Sequence, residues 1–203
     1  MLKEIVKSFG SVLYIQIWKN HIKATNLKTG KIYNEPSLLT IERNPEGQSI
    51  VSAIGNNVQK ITNSPNTIVI NPFAHPRVLI NEFLVAEKML QHIVYVLLGK
   101  HRIGPRPKII IHPMEEYEGG ITLLEHRAFI EIALAAGAKE VTVYTGAEIP
   151  ISRLDFDKIK EESAKNLPSY VSFKAKRESH LPLSSSLAIV AIVITGLLWF
   201  TSF

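Results

Sequence analysis

Apolar residues recur along this chain at two periods, and the switches between them divide it into elements. Leu2, Ile5, Val6 and Phe9 stand at helical spacing, with Lys3, Glu4, Lys7 and Ser8 opposite and Gly10 behind them, which predicts a short amphipathic helix over residues 1–10. Such a helix either lies in a membrane interface with its lysines toward lipid headgroups or packs on the domain that follows. Val12 to Trp18 is rich in apolar strand formers, and the turn at Lys28 to Lys31 around Gly30 suggests a hairpin. Between Ser37 and Asn66 apolar residues are short and scattered among Asn, Pro and Gly, the pattern of a small strand-containing insertion. Strand and helix periods then alternate: a strand at Thr67 to Ile70, a helix from Phe83 to Leu98 stopped by Gly99, and a strand at Lys108 to Ile111 behind Pro107. A second helix follows from Thr122 to Ala136, with Glu125, His126, Arg127 and Glu131 on its polar side, and then a strand from Glu140 to Tyr144. Strands alternating with helices predict an α/β sheet.

From about Arg153 the chain turns polar and reads as a tether over residues 151–186, containing one helix from Leu154 to Lys165 and no further core-forming segment. Leu187 to Phe203 then carries no charged residue. As a helix it would be about 25 Å long, and with Leu181 to Ser186 it approaches the roughly 30 Å of a bilayer core. Leu187, Ile189, Val193 and Leu197 would face lipid, and Trp199 and Phe200 would sit at one interface. Lys174, Lys176, Arg177 and His180 precede the run, which favours a C-terminal membrane anchor with the folded domain on the cytoplasmic side. The competing reading is a buried terminal helix or strand.

Composition adds three constraints. With 203 residues the chain can bury one substantial core, and no cysteine is present, which excludes disulfides and thiolate metal sites. The net charge of +5 is concentrated in Lys100 to Lys108 and Lys158 to Arg177, and it suits an anionic membrane surface. Without interleaved aromatic residues, nucleic acid is not the expected partner. The seven histidines show no paired spacing with carboxylates typical of a metal site, so no metal is expected. Met114 to Glu118, followed by Gly119 and Gly120, reads as an acidic loop, either solvated or a partner-recognition insert.

Several segments stand in an order and spacing that carry a specific likeness. These are Asn34-Glu35-Pro36-Ser37, Glu87-Lys88-Met89-Leu90-Gln91-His92, Glu125-His126-Arg127-Ala128, and Ala136-Gly137-Ala138-Lys139-Glu140-Val141. Over about its first 150 residues the chain resembles the MreB family of rod shape-determining bacterial actins. The resemblance implies the first half of an actin-like (RNase H-like) ATPase fold over residues 11–150, with a small inserted subdomain at about 38–71.

The same resemblance implies that the nucleotide chemistry is gone. Where the family's first phosphate loop reads Asp-Leu-Gly-Thr-Ala-Asn-Thr, this chain reads Gln16-Ile17-Trp18-Lys19-Asn20-His21-Ile22. An acidic residue organises hydrated Mg²⁺, and glycine lets backbone N–H groups approach phosphate. Gln16 has no charge, Trp18 fills the space glycine leaves open, and Lys19 and Asn20 read as a solvent-facing hairpin pair. The family's acidic pair after its last strand falls on Thr145-Gly146, leaving no base to position water; Glu148 comes three residues late, on the loop surface. The expected function is therefore a non-catalytic cytoskeletal or scaffold protein at the bacterial cytoplasmic membrane, without ATP or Mg²⁺, acting on cell shape or envelope organisation. Full-length MreB-type filaments are the expected partner, and self-association is open. Two other readings stay open: a residual nucleotide-binding protein that assembles a composite cleft from two chains, and a degenerate gene fragment.

Overall fold

A computed structural model describes residues 10–44, 46–61, 66–99, 104–115 and 120–166. The membrane-contact candidates Leu2, Ile5, Val6, Phe9, Leu187, Ile189, Val193, Leu197, Trp199 and Phe200 lie outside these residues, as do residues 116–119 of the acidic loop. Among the described residues, no helix is long and apolar enough to cross a membrane.

The strands β1 (Val12–Ile17), β2 (His21–Asn26), β3 (Ile32–Pro36), β7 (Lys108–Pro113) and β8 (Glu140–Val143) form one sheet in the order β3-β2-β1-β7-β8. β1 and β2 are antiparallel, as are β2 and β3, while β1, β7 and β8 run parallel. Central parallel strands are covered on both faces, which is why β1 and β7 are nearly continuous runs of buried residues. On one face Leu13, Ile15, Ile109, Ile111 and Val143 pack in a single core with the helices α1 (Phe83–Leu98) and α2 (Leu123–Ala135). Helix α1 buries Val85, Ala86, Met89, Leu90, Ile93, Val94 and Leu97, the three- and four-residue spacing of one helical stripe. Helix α2 begins in a capping box: the Thr122 hydroxyl accepts the Glu125 N–H, and Glu125 Oε2 accepts the Thr122 N–H at 2.9 Å. The other oxygen of Glu125 accepts the Leu79 N–H at 2.8 Å, so a residue expected on a polar helix face instead ties the start of α2 to the chain before α1.

Between β3 and α1 stands a second sheet, β5-β4-β6, made of β4 (Leu39–Arg43), β5 (Ser49–Ile54) and β6 (Thr67–Ile70), all antiparallel. A 3-10 turn at Gly55–Lys60 follows β5.

Two expectations need correction, and a third is filled in. The chain makes two hairpin turns after Val12: the turn around Gly30 and, before it, the one read at Lys19 and Asn20. β2 lies between a tight turn closed by Trp18 N–H to the His21 carbonyl and the turn around Gly30. The first turn has no glycine; it is braced from a distance, since Ser37 Oγ and Asn71 Nδ2 both donate to the Lys19 carbonyl, at 3.1 and 3.0 Å. Residues 156–166 are not mere tether: helix α3 (Phe156–Asn166) buries Phe156 and Ile159 against Tyr14, Ile110 and Tyr144 on the other face of the main sheet. Finally, Lys108 does not belong to a free basic run. Its ammonium pairs with Asp157 at 2.7 Å and Glu140 at 3.3 Å and lies 4.5 Å from the centre of the Phe156 ring.

Candidate functional site

The parallel strands β1, β7 and β8 end on the same edge of the sheet, and beside β1 the strand direction reverses at β2. Ligands of α/β sheets gather beyond such strand ends. A cavity of about 570 Å³ opens there, with His112, Met114, Glu115, Gly146 and Glu148 in its wall.

Gln16, at the end of β1, is 2 % exposed. Its Nε2 donates to Glu148 Oε1 at 2.8 Å and lies 3.8 Å from Met114 Sδ. One turn of chain later, the Lys19 N–H donates to Glu115 Oε1 at 2.7 Å. Trp18 is half-buried beside His21, their ring centres 5.8 Å apart. Asn20 is exposed, and its Oδ1 accepts from Asn71 Nδ2 at 3.3 Å. The structure thus brings Gln16, Trp18, Lys19 and Asn20 to one corner, and adds two carboxylates from β7's exit loop and from the loop after β8.

Behind the carboxylates lies a buried polar pair. The Tyr14 hydroxyl donates to His112 Nδ1 at 2.6 Å, and His112 Nε2–H donates to the Gly146 carbonyl at 2.9 Å, with the tautomer set by these two partners. Burial, followed by the nearby Glu148 charge, pushes the Tyr14 phenol up to about 12. Burial also lowers the His112 imidazole, against the raising effect of the Gly146 carbonyl and Glu148. Both nitrogens of His112 are occupied in the neutral form, so this histidine anchors the loop after β8 and has no lone pair left for a substrate. Among the described residues, no group of three or more His, Cys, Asp or Glu side chains could hold a metal ion.

Glu148 is exposed, as a loop residue should be, yet it holds the end of β1. The linear sequence missed Glu115, Glu148, His112 and Tyr14 as one group because their contacts span 96 to 132 residues of chain. The one available signal was the alternation of polar Gln16 and His112 with apolar neighbours at the ends of buried strands.

The neutral His112 carries a pH dependence. Its folded pKa is depressed below the ordinary histidine value, so the unfolded chain takes up its proton first as pH falls. The stabilisation is therefore complete above about pH 6.5 and is lost as pH drops below that value. His92 and His126, also lowered by burial, act in the same direction. Urea unfolding at pH 7 and pH 5 is expected to show lower stability at pH 5, with a shallower decline in His112→Gln. An equal decline in that variant would remove His112 from the account.

A five-stranded mixed sheet flanked by helices, with a three-stranded insertion before the first long helix, is an actin-like domain. Among solved structures, MreB5 of Spiroplasma citri bound to AMPPNP superposes with a TM-score of 0.54 at 19 % identity, covering 67 % of this chain and 38 % of that one. A non-polymerising mutant of MamK bound to AMPPNP gives 0.52 at 12 % identity, covering 68 % and 41 %. The family model described as MreB/Mbl protein matches residues 21–151. The cell shape-determining protein MreB of Escherichia coli (strain K12) is 30 % identical over 163 residues, covering 75 % of this chain and 45 % of the relative. That of Haemophilus influenzae (strain ATCC 51907 / DSM 11121 / KW20 / Rd) is 27 % identical over 162 residues, covering 75 % and 44 %. This chain belongs to the MreB/Mbl family, and it spans less than half the length of these MreB relatives.

Proposed function

We propose that the chain is a non-catalytic member of the family, a scaffold of the cell-shape cytoskeleton held at the inner face of the bacterial cytoplasmic membrane. One observation carries the non-catalytic part: the protein's own carboxylates stand where nucleotide phosphates would have to approach. The Lys19 N–H is a donor of the kind that could bind phosphate, but it already serves Glu115, and Gln16 already serves Glu148. Breaking a hydrogen bond to a charged group costs roughly 1.5–3 kcal/mol. A phosphate about 5 Å from either carboxylate would meet a further repulsion of about 3 kcal/mol at an effective dielectric near 20. Among the described residues that line the cavity, no positive side chain offsets that, and burial lowers the His112 pKa.

The scaffold part rests on the cell shape-determining relatives, and membrane attachment rests on the apolar run from Leu187 to Phe203. Calorimetric titration of the full chain with Mg-ATP is expected to give no saturable heat up to millimolar nucleotide; saturable binding would overturn the non-catalytic reading. Carbonate-washed membranes from cells expressing the full chain are expected to retain it, together with an MreB-type homologue, while a version ending at Ser186 washes off. Loss of both versions from the membrane would remove the anchor, and failure to co-purify the homologue would remove the scaffold.

A further inference from the structure

The inserted sheet ends on β5, and among the described residues no further strand pairs with it. Beside β5 lies a second cavity, of about 490 Å³, between that strand, the 3-10 turn and helix α1. Four consecutive residues of β5, Val51 to Ile54, line it. β5 is the end strand of its sheet, so among the described residues its outer backbone edge is left unpaired, and this cavity lies against that strand.

The remaining lining fixes the chemistry of an occupant. Ile54 and Ile61 supply apolar surface, Lys60 and His92 supply positive or proton-donating groups, and among the described residues no acidic side chain lines the cavity. Lys60 Nζ reaches only as far as Asn57 Oδ1, at 3.1 Å. Glu35, whose charge acts on His92, is already committed to the Asn56 N–H at 3.1 Å. Ile50 and Val51 leave 51 % and 37 % of their surface open along the same edge. Proteins commonly guard such edges with inward charges, proline or bulges. β5 carries one such guard, a bulge at Ser52, whose Oγ donates to the Thr40 carbonyl at 3.4 Å, but no charged residue or proline lies within the strand.

We propose that this edge is a peptide-docking site: an extended segment of a partner protein adds as a strand along β5, alternating apolar residues with acidic ones that reach Lys60. Main-chain hydrogen bonds supply the binding, while the Ile54–Ile61 surface and Lys60 supply the selection, as in other additions of a strand to a sheet edge. The site stands apart from the strand-end carboxylates and does not depend on the absence of nucleotide binding.

The test uses the full chain in detergent and two acetylated eight-residue peptides, one alternating glutamate with valine and one alternating lysine with valine. Hydrogen–deuterium exchange, localised by fragmentation to residues 50–54, is expected to slow at least tenfold with the glutamate peptide and to stay unchanged with the lysine peptide. Binding of the labelled glutamate peptide, read by fluorescence anisotropy, is expected to weaken about fivefold in Lys60→Glu, the upper end of what one exposed ion pair contributes, because the reversed charge also repels the peptide. Unchanged exchange at 50–54, equal protection by both peptides, or an unaffected Lys60→Glu variant would each overturn the proposal. Protection that rises with protein concentration in the absence of peptide would also overturn it, because the occupant is then a second copy of this chain.

Discussion

Phe156→Ala is expected to cost the domain about 3 kcal/mol, read as a lower urea midpoint by circular dichroism. Phe156 is 5 % exposed, and it closes a small second core with Tyr14, Ile110, Tyr144 and Ile159. Emptying a buried aromatic site typically costs about 3–5 kcal/mol, and the lower end suits a residue in the first turn of a helix that can settle inward. The Lys108 ammonium would also lose the ring it lies over, although its pairs with Asp157 and Glu140 remain. Against a total stability on the order of 5–15 kcal/mol this is a large share. The consequence reaches the candidate site, because Tyr14 packs under α3 and also holds His112, which anchors the loop at Gly146. A change below about 0.5 kcal/mol would show that α3 is dispensable to the fold and that residues beyond Arg153 are tether after all.

Gly55→Ala is expected to cost roughly 2–3 kcal/mol. Gly55 has φ +63°, where a side chain is disfavoured by about 1 kcal/mol. A Cβ there would lie 1.9 Å from Glu35 Oε2 and 2.9 Å from the Tyr33 hydroxyl. Glu35 can swing away, but only by abandoning the Asn56 N–H, a charged hydrogen bond worth roughly 1.5–3 kcal/mol of which solvent returns a part. The Tyr33 hydroxyl cannot retreat as easily: it is 4 % exposed, lies against Glu35 outside good hydrogen-bonding geometry, and its ring meets His92 edge-on. Thermal unfolding of the variant measures the cost. A melting temperature equal to that of the parent would mean that the turn after β5 relaxes freely and does not brace the inserted sheet against α1.

The contrast between these two sites and the rest of the chain shows where sequence information stops. Periodicity alone located α1, α2, β6 and β7 to within about two residues, because each buries one stripe or one run of apolar side chains whose spacing is set by local backbone geometry. The capping box of Thr122 and Glu125 at the start of α2 goes unread by periodicity, which places Glu125 only on the polar face of the helix. The family also was legible, since Asn34 to Ser37 and Glu87 to His92 keep their order along the chain. Local pattern suggested a hairpin pair at Lys19 and Asn20 but could not show what holds that glycine-free turn, which is Ser37 and Asn71, 18 and 52 residues away. It could not show that Phe156 and Ile159 find a core, because two apolar residues in a charged helix have no partner until the far face of the sheet exists. The sequence alone suggested, through the family resemblance, that Gln16 and Trp18 stand where an acidic residue and a glycine would be expected. That Glu115 and Glu148 occupy the donors at the strand ends was decided only by the tertiary structure, which brings parallel strands and their loops together across more than ninety residues of chain.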